Sequence, residues 1–183
     1  MDVRQLGLDG VLEIVPKRHG DARGYFIETW NAERFFEAGI DLRFVQDNHS
    51  YSAAAGVVRG LHYQLPPRAQ DKLLRVIRGK IFDVAVDIRR SSKTFGKWVA
   101  LEISAEKGNQ ILVPKGFAHG FVTLVPDTEV LYKVTDTYSP AHDRSIRFDD
   151  PDIGIDWPSP AGGFELSAKD LKAPKLANAE VFA

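Results

Sequence analysis

An all-β barrel is the fold this sequence predicts, on three observations. Short apolar runs rich in Val, Ile and Phe recur along the chain, turn residues separate them at intervals of about ten positions, and segments with helical periodicity are few. The expected architecture is a jelly-roll β-barrel with a few short peripheral helices. Residues 1–183 form one domain, since 183 residues with 44% hydrophobic content can bury a single substantial core.

The elements follow in order. Leu-Gly-Leu-Asp-Gly at 6–10 is a peripheral element, decorating the barrel or reaching a partner subunit, and a first strand runs over 10–16. A second covers 25–30. Residues 31–39 predict a short helix on the outside of the barrel, with Asn31 as its cap, Gly39 as its stop, and Phe35 and Phe36 to bury. The polar run Gln46-Asp-Asn-His-Ser-Tyr-Ser52 is either a hydrogen-bonded loop or a sugar or nucleotide contact. Strands are then expected at 57–64, 72–78, 80–89, 98–103, 110–113, 120–124, 129–135 and 145–148. Within 80–89 the alternation places Phe82, Val84, Val86 and Ile88 on a core face and Ile81, Asp83, Ala85 and Asp87 on a face carrying carboxylates. After Pro158 a Pro- and Gly-bearing loop leads into a short helix near 166–171.

Composition excludes several functions. Lys and Arg total 24 against 25 for Asp and Glu, so net charge calls for neither a nucleic acid nor an acidic membrane surface. Zero cysteines rule out disulfides and thiolate metal sites. Residues 1–10 lack the apolar stretch of a signal peptide, and no apolar run approaches membrane-spanning length, so the expected location is the cytoplasm.

Two histidines carry the chemistry. The spacing Gly108-x5-Pro114-x-Gly116-x2-His119 is that of the second conserved motif of cupin barrels, in which a tight turn at Pro114 and Gly116 delivers His119 inward. The other histidine, His62, lies in Val58-Arg-Gly-Leu-His-Tyr-Gln64. Both are expected to face one pocket. A metal-binding cupin would supply a second histidine two residues on and a glutamate after it, because a divalent ion wants three or four N or O ligands. This chain has Gln64 at the first position, and Arg68-Ala-Gln-Asp-Lys72 where the carboxylate belongs. Cations there repel a metal and attract an oxyanion, and only Asp71 keeps a metal reading open.

Each remaining candidate has a plain alternative. Arg59 and Lys72 are surface charges or site cations; Gly60 suggests a bulge that re-aims its neighbours, which favours the site. Tyr132 is a core tyrosine or a site phenol. Asp170 caps a helix through Ser167-x-x-Asp170, or orients a histidine, a part Asp83 can play for His119. Asp21-Ala-Arg-Gly-Tyr-Phe-Ile-Glu28 is an amphipathic strand, or a grip for a phosphate and a base.

Taken together, Asp21–Glu28, Phe44-Val-Gln-Asp-Asn-His-Ser50, Val58–Gln64, Ala69-Gln-Asp-Lys-Leu-Leu-Arg75, Pro114-Lys-Gly-Phe-Ala-His-Gly120 and Leu131-Tyr-Lys133 closely resemble the dTDP-4-dehydrorhamnose 3,5-epimerase family, in order, from about Gly7 to the C-terminus. The resemblance implies a cupin-type jelly roll, without metal or other cofactor, forming a homodimer with strand exchange. It implies inversion of both carbons flanking the 4-keto group of a dTDP-linked 4-keto-6-deoxyhexose, a step toward dTDP-L-rhamnose. By similarity His62 is the base, Asp170 its orienting carboxylate, Tyr132 the acid on the opposite face, and Lys72 and Arg59 the stabilisers of the oxyanion. His119, held by Asp83, binds or polarises the sugar. Arg23, Phe26, Glu28, Gln46, Asn48, Tyr138, Asp143 and Lys169 become further substrate contacts, the Arg23–Glu28 strand serving a neighbouring subunit. Two departures stand out: Asp143 replaces the usual Glu, and Asp71 replaces a small or uncharged residue. A relative that inverts one carbon only, a non-catalytic sugar-nucleotide binder and a metal-dependent cupin oxygenase are the competing readings.

Overall fold

The computed structural model describes residues 1–183. Two antiparallel sheets face each other. The first holds β1 (Asp2–Gln5), β2 (Leu12–Val15), β5 (Gln46–Ser52), β7 (Lys72–Arg78), β10 (Gln110–Val113) and β12 (Thr128–Val134), in the order β1-β2-β10-β7-β12-β5. The second holds β6 (Val58–Gln64), β8 (Lys80–Asp87), β9 (Trp98–Ser104), β11 (Phe117–Thr123) and β13 (Asp143–Ser145), in the order β13-β6-β11-β8-β9. A separate hairpin pairs β3 (Arg18–Asp21) with β4 (Gly24–Ile27). Two short helices, α1 (Ala32–Glu37) and α2 (Ala168–Leu171), and a 3-10 turn at Leu176–Asn178 complete the chain. No helix is long and apolar enough to cross a membrane.

Three apolar clusters place the layers. Leu74, Val76, Ile111 and Val130 of the first sheet meet Ile81, Ala85, Phe117 and Phe121 of the second inside the barrel. Phe35 of α1 packs with Ile14, Leu73 and Leu112 on the first sheet's outer surface, so the helix lies where expected. Asn31 caps it, accepting from the Arg34 amide, but Phe36 remains 64% exposed because only one aromatic of the pair can face the sheet. The outer surface of the second sheet is covered by the C-terminal segment: Val84, Val86 and Ile88 pack with Ile153, Leu176 and Ala179. Residues 80–89 therefore have no carboxylate-bearing solvent face. Ile81 and Ala85 point into the barrel interior, and Asp83 and Asp87 are fully buried.

Several predicted boundaries shift. Gln46–Ser52 is a regular strand rather than a loop, its alternate residues facing inward across β12. β1 is an additional strand that the polar Asp-Val-Arg-Gln run conceals, since every residue of this edge strand is exposed. The strand expected at 25–30 is shortened to one arm of the β3–β4 hairpin, β13 begins at Asp143 rather than 145, and β11 starts at Phe117, so His119 lies within the strand itself.

Candidate active site

The β6–β11 ladder brings the histidines together. His62 and His119 are direct cross-strand partners, so both side chains leave the same face toward the barrel interior. The register slips between His119 and Phe121, where Gly60 and Leu61 oppose Gly120 alone: the predicted bulge. Only glycine fits there. Gly60 has φ of +132°, and a Cβ would lie 2.5 Å from the Gly120 Cα. At the other end of β11, Gly116 takes φ of +91° in the turn after Pro114, packed against the Arg89 side chain.

Each histidine is tied to a buried carboxylate. His62 Nε2 lies 2.5 Å from Asp170 Oδ1, and His119 Nε2 lies 2.9 Å from both oxygens of Asp83. A carboxylate accepts, so each Nε2 carries the hydrogen, and no protein group bonds Nδ1 of His62. Asp170 takes part in two contacts with different atoms. Its backbone N–H donates to the capping Ser167 Oγ at 3.1 Å while its side chain holds His62. Burial pushes its carboxyl up, but the hydrogen bond and charge of His62, the Ser167 hydroxyl and Lys169 outweigh burial and hold it below the ordinary range. For Asp83 burial prevails, and the carboxyl is raised despite His119 and Lys72.

The opposite sheet supplies a cation and a phenol. Lys72, at the start of β7, donates to the His62 carbonyl at 3.2 Å, and loss of water pushes its ammonium down to about 8. Tyr132, on β12 opposite Leu74 and Asn48, is pushed up by burial against the pull of Arg59, which keeps it a phenol near neutral pH. Arg59 is anchored through the Ser52 hydroxyl at 3.2 Å and the Tyr51 carbonyl at 2.8 Å.

Of these groups all but Asp83, which lies behind His119, line one cavity of about 460 Å³, walled also by Val58, Leu74, Phe121 and the tail residues Leu166 and Ser167. A second space of about 350 Å³ shares His62, Lys72 and Tyr132 with it and opens past Gln46, Asn48, Tyr138, Asp143 and Lys169. At this mouth Lys169 pairs with Asp143, and the Tyr138 hydroxyl donates to the same carboxylate at 3.1 Å. Asp143, one methylene shorter than the expected Glu, thus reaches both Lys169 and Tyr138. Asp71 turns away from the cavity, accepting from the Lys115 amide at 3.1 Å and the Thr135 hydroxyl at 3.0 Å. No group of three His, Asp or Glu side chains is arranged to hold a metal ion.

Arg23, Phe26 and Glu28 lie apart from this cavity. Arg23 pairs with Asp21 at the tip of the β3–β4 hairpin, Phe26 is 68% exposed, and Glu28 binds Arg34 and Asn31 at the start of α1. Conversely, Ser50, Phe121, Glu165 and Leu166 line the cavity without having been singled out. Ser50 carries a faint signal as part of the polar 46–52 run, whereas Glu165 and Leu166 come from the tail, which no local pattern ties to the barrel.

Known proteins resemble this chain along most of its length. The family model for dTDP-4-dehydrorhamnose 3,5-epimerase matches residues 5–178. A dTDP-4-dehydrorhamnose 3,5-epimerase of Sinorhizobium fredii is 51% identical over 176 residues, covering 96% of this chain and 90% of its own. The crystal structure of the Legionella pneumophila 3,5-epimerase in complex with dTDP-4-keto-L-rhamnose superposes with a TM-score of 0.92 at 46% identity, covering 97% of this chain and 93% of that one. A 3'-monoepimerase of Streptomyces bikiniensis, in complex with dTDP-quinovose, is more distant at 35% identity and a TM-score of 0.88, over 94% and 86% of the two chains.

Proposed function

The chain belongs to the dTDP-4-dehydrorhamnose 3,5-epimerase family, and on that premise we propose that it inverts C3 and C5 of dTDP-4-dehydro-6-deoxy-D-glucose to give dTDP-4-dehydro-L-rhamnose, in dTDP-L-rhamnose biosynthesis. One observation carries the reading: a carboxylate-held imidazole on one sheet and a phenol on the other line a single cavity, with Lys72 and Arg59 beside them. Inverting a carbon next to a ketone requires removing its proton on one face and returning a proton on the other, so base and acid must stand on opposite walls.

His62 takes the C–H proton, while Asp170 fixes its tautomer and supports the imidazolium that forms. The electron pair moves onto the C4 oxygen. Lys72 and Arg59 stabilise that enolate, and the charge of Lys72 acts strongly because its ammonium is desolvated. Tyr132 returns a proton from the opposite face and recovers its own from solvent, to which His62 in turn releases the proton it took, so that both groups are reset. Repetition at the second carbon completes the isomerisation with no net change in atoms or electrons. His119, locked by Asp83, binds the sugar, and Gln46, Asn48, Tyr138, Asp143 and Lys169 at the mouth receive the nucleotide diphosphate.

Arg23, Phe26 and Glu28 then complete a partner's site in a homodimer. The exposed Tyr25 and Phe26 of the hairpin support this, since adjacent exposed aromatics mark a contact surface. Sedimentation should give twice the 20.4 kDa chain mass; a monomer would refute the exchange.

The test is solvent isotope uptake. Incubated with dTDP-4-keto-6-deoxyglucose in deuterated water without added metal, the protein should place deuterium at both C3 and C5, and His62→Ala should abolish uptake. Tyr132→Phe should impair the C5 event more than the C3 event. Uptake at one carbon only would make the chain a monoepimerase, and full uptake by His62→Ala would remove the base assignment.

A further inference from the structure

Gln64 stands two residues after His62, where a metal-binding cupin places a second histidine, and the reaction above gives it no task. Its side chain is 4% exposed and fully engaged. Nε2 donates to the Arg68 carbonyl at 2.6 Å and the Thr137 carbonyl at 3.3 Å, and Oε1 accepts from the Ser139 amide at 2.7 Å. One amide thus joins the end of β6 to both segments that rim the cavity mouth. Gln70 adds a bond to the Asp136 carbonyl at 2.7 Å, and Arg68 an ion pair to Asp136 at 2.9 Å. The segment so held carries Tyr138. Its amide donates to Gln46 Oε1 at 2.9 Å and its hydroxyl to Asp143, leaving the ring 57% exposed at the opening.

We propose that Gln64 is a positioning residue for substrate binding: it fixes residues 136–139 so that Tyr138 stands at the cavity mouth where the nucleotide enters. The inference rests on the reading of that mouth as the nucleotide site. The side-chain chemistry is selective, because these bonds need two donors and one acceptor on a single group of this reach. A neutral histidine offers one donor and one acceptor, and a glutamate offers no donor. The position that a metal cupin uses for a ligand is therefore committed here to loop geometry.

Full-length Gln64→Leu and Gln64→Glu test it through dTDP affinity by calorimetry, steady-state kinetics with the 4-keto substrate, and hydrogen exchange over residues 136–139. The expected result is a rise of about tenfold or more in both the dTDP Kd and KM, since buried partners are left unpaired. kcat should stay within about threefold, the ratio of C3 to C5 deuterium uptake should hold, and Ser139 amide exchange should accelerate. Folded variants with wild-type Kd and wild-type exchange would overturn the proposal. Should neither variant fold, the wild-type chain decides. A slowly exchanging Ser139 amide, slowed further by dTDP, supports the anchor, and an unprotected one overturns it. A wild-type chain that bound no dTDP would instead overturn the proposed function, and loss of Ser139 protection in Gln64→Leu would still support the anchor.

Discussion

Replacing Lys72 with methionine should abolish epimerisation and stabilise the protein near neutral pH. The ammonium makes one protein hydrogen bond, to the His62 carbonyl, and burial drives its pKa from 10.5 to about 8, opposed by the carboxylates of Asp143 and Asp83. At ~1.4 kcal/mol per tenfold change in proton affinity, keeping the charge in the folded state at pH 7 costs about 3 kcal/mol. The sign follows from proton binding. The unfolded chain holds this proton up to about 10.5 and the folded one releases it near 8, so between those values the unfolded state binds more protons and stability rises with pH. Methionine keeps the length and removes the charge. Allowing for the polar walls it would face, the gain should be about 1–3 kcal/mol, or roughly 2–10 °C in Tm for a chain of this size. Thermal melts of both proteins at pH 7 and pH 10 give the test: the advantage of Lys72→Met should be present at pH 7 and largely gone at pH 10. Over the same range the wild-type rate should fall about tenfold per pH unit above 8 as the cation is lost. A variant less stable than wild type at pH 7, or an advantage that does not shrink with pH, would refute the reasoning.

Two further substitutions probe how the base is held. Asp170→Asn keeps the shape beside His62 but no longer fixes the proton on Nε2, so kcat for deuterium uptake should fall by about 10²–10⁴ with little change in KM; a rate within threefold of wild type would show the carboxylate to be only a helix residue. Gly60→Ala forces a side chain into a backbone at φ +132° and within 2.8 Å of the His119 carbonyl oxygen, so urea denaturation should show a loss of about 3 kcal/mol or more. An unchanged urea midpoint would mean that the bulge can relax without cost.

The fold class was legible because period-two patterning and turn residues act locally. The histidine pair was legible because motif spacing marked the bend in β6 and the turn before β11: Gly60, Pro114 and Gly116 each impose a backbone constraint visible in one residue. What escaped depended on contacts distant in sequence. Val84, Val86 and Ile88 looked like the core face of 80–89, yet the barrel interior lies on the other side, and only the C-terminal tail covering the sheet explains why both faces are apolar. The hydrogen bond of His62 to Asp170 spans 108 positions. Ser167-x-x-Asp170 announced a helix cap, which exists, but nothing local told that its carboxylate closes onto β6. β1 escaped for the opposite reason: an edge strand exposed along its whole length has no apolar alternation to read.

The division of labour between the two sheets accounts for why this barrel suits two-faced proton chemistry. β6 and β11 contribute the imidazoles, and each ring is immobilised by a carboxylate on its Nε2. β7 and β12 contribute the cation and the phenol from across the cavity. Because Lys72 bonds the carbonyl of His62 itself, the proposed base and the charge proposed to stabilise its product are held in a fixed relation by backbone rather than by flexible side chains alone. Their requirements conflict energetically. Burial strengthens the field of Lys72 on an enolate and at the same time drives its pKa toward neutrality, so a drier cavity would stabilise the enolate more and hold the charge less. The carboxylates of Asp83 and Asp143 offset part of that loss. Asp83 therefore serves both sides of the cavity, fixing His119 on its own sheet and helping Lys72 on the other to remain a cation at the pH where the proposed base, His62, must be neutral.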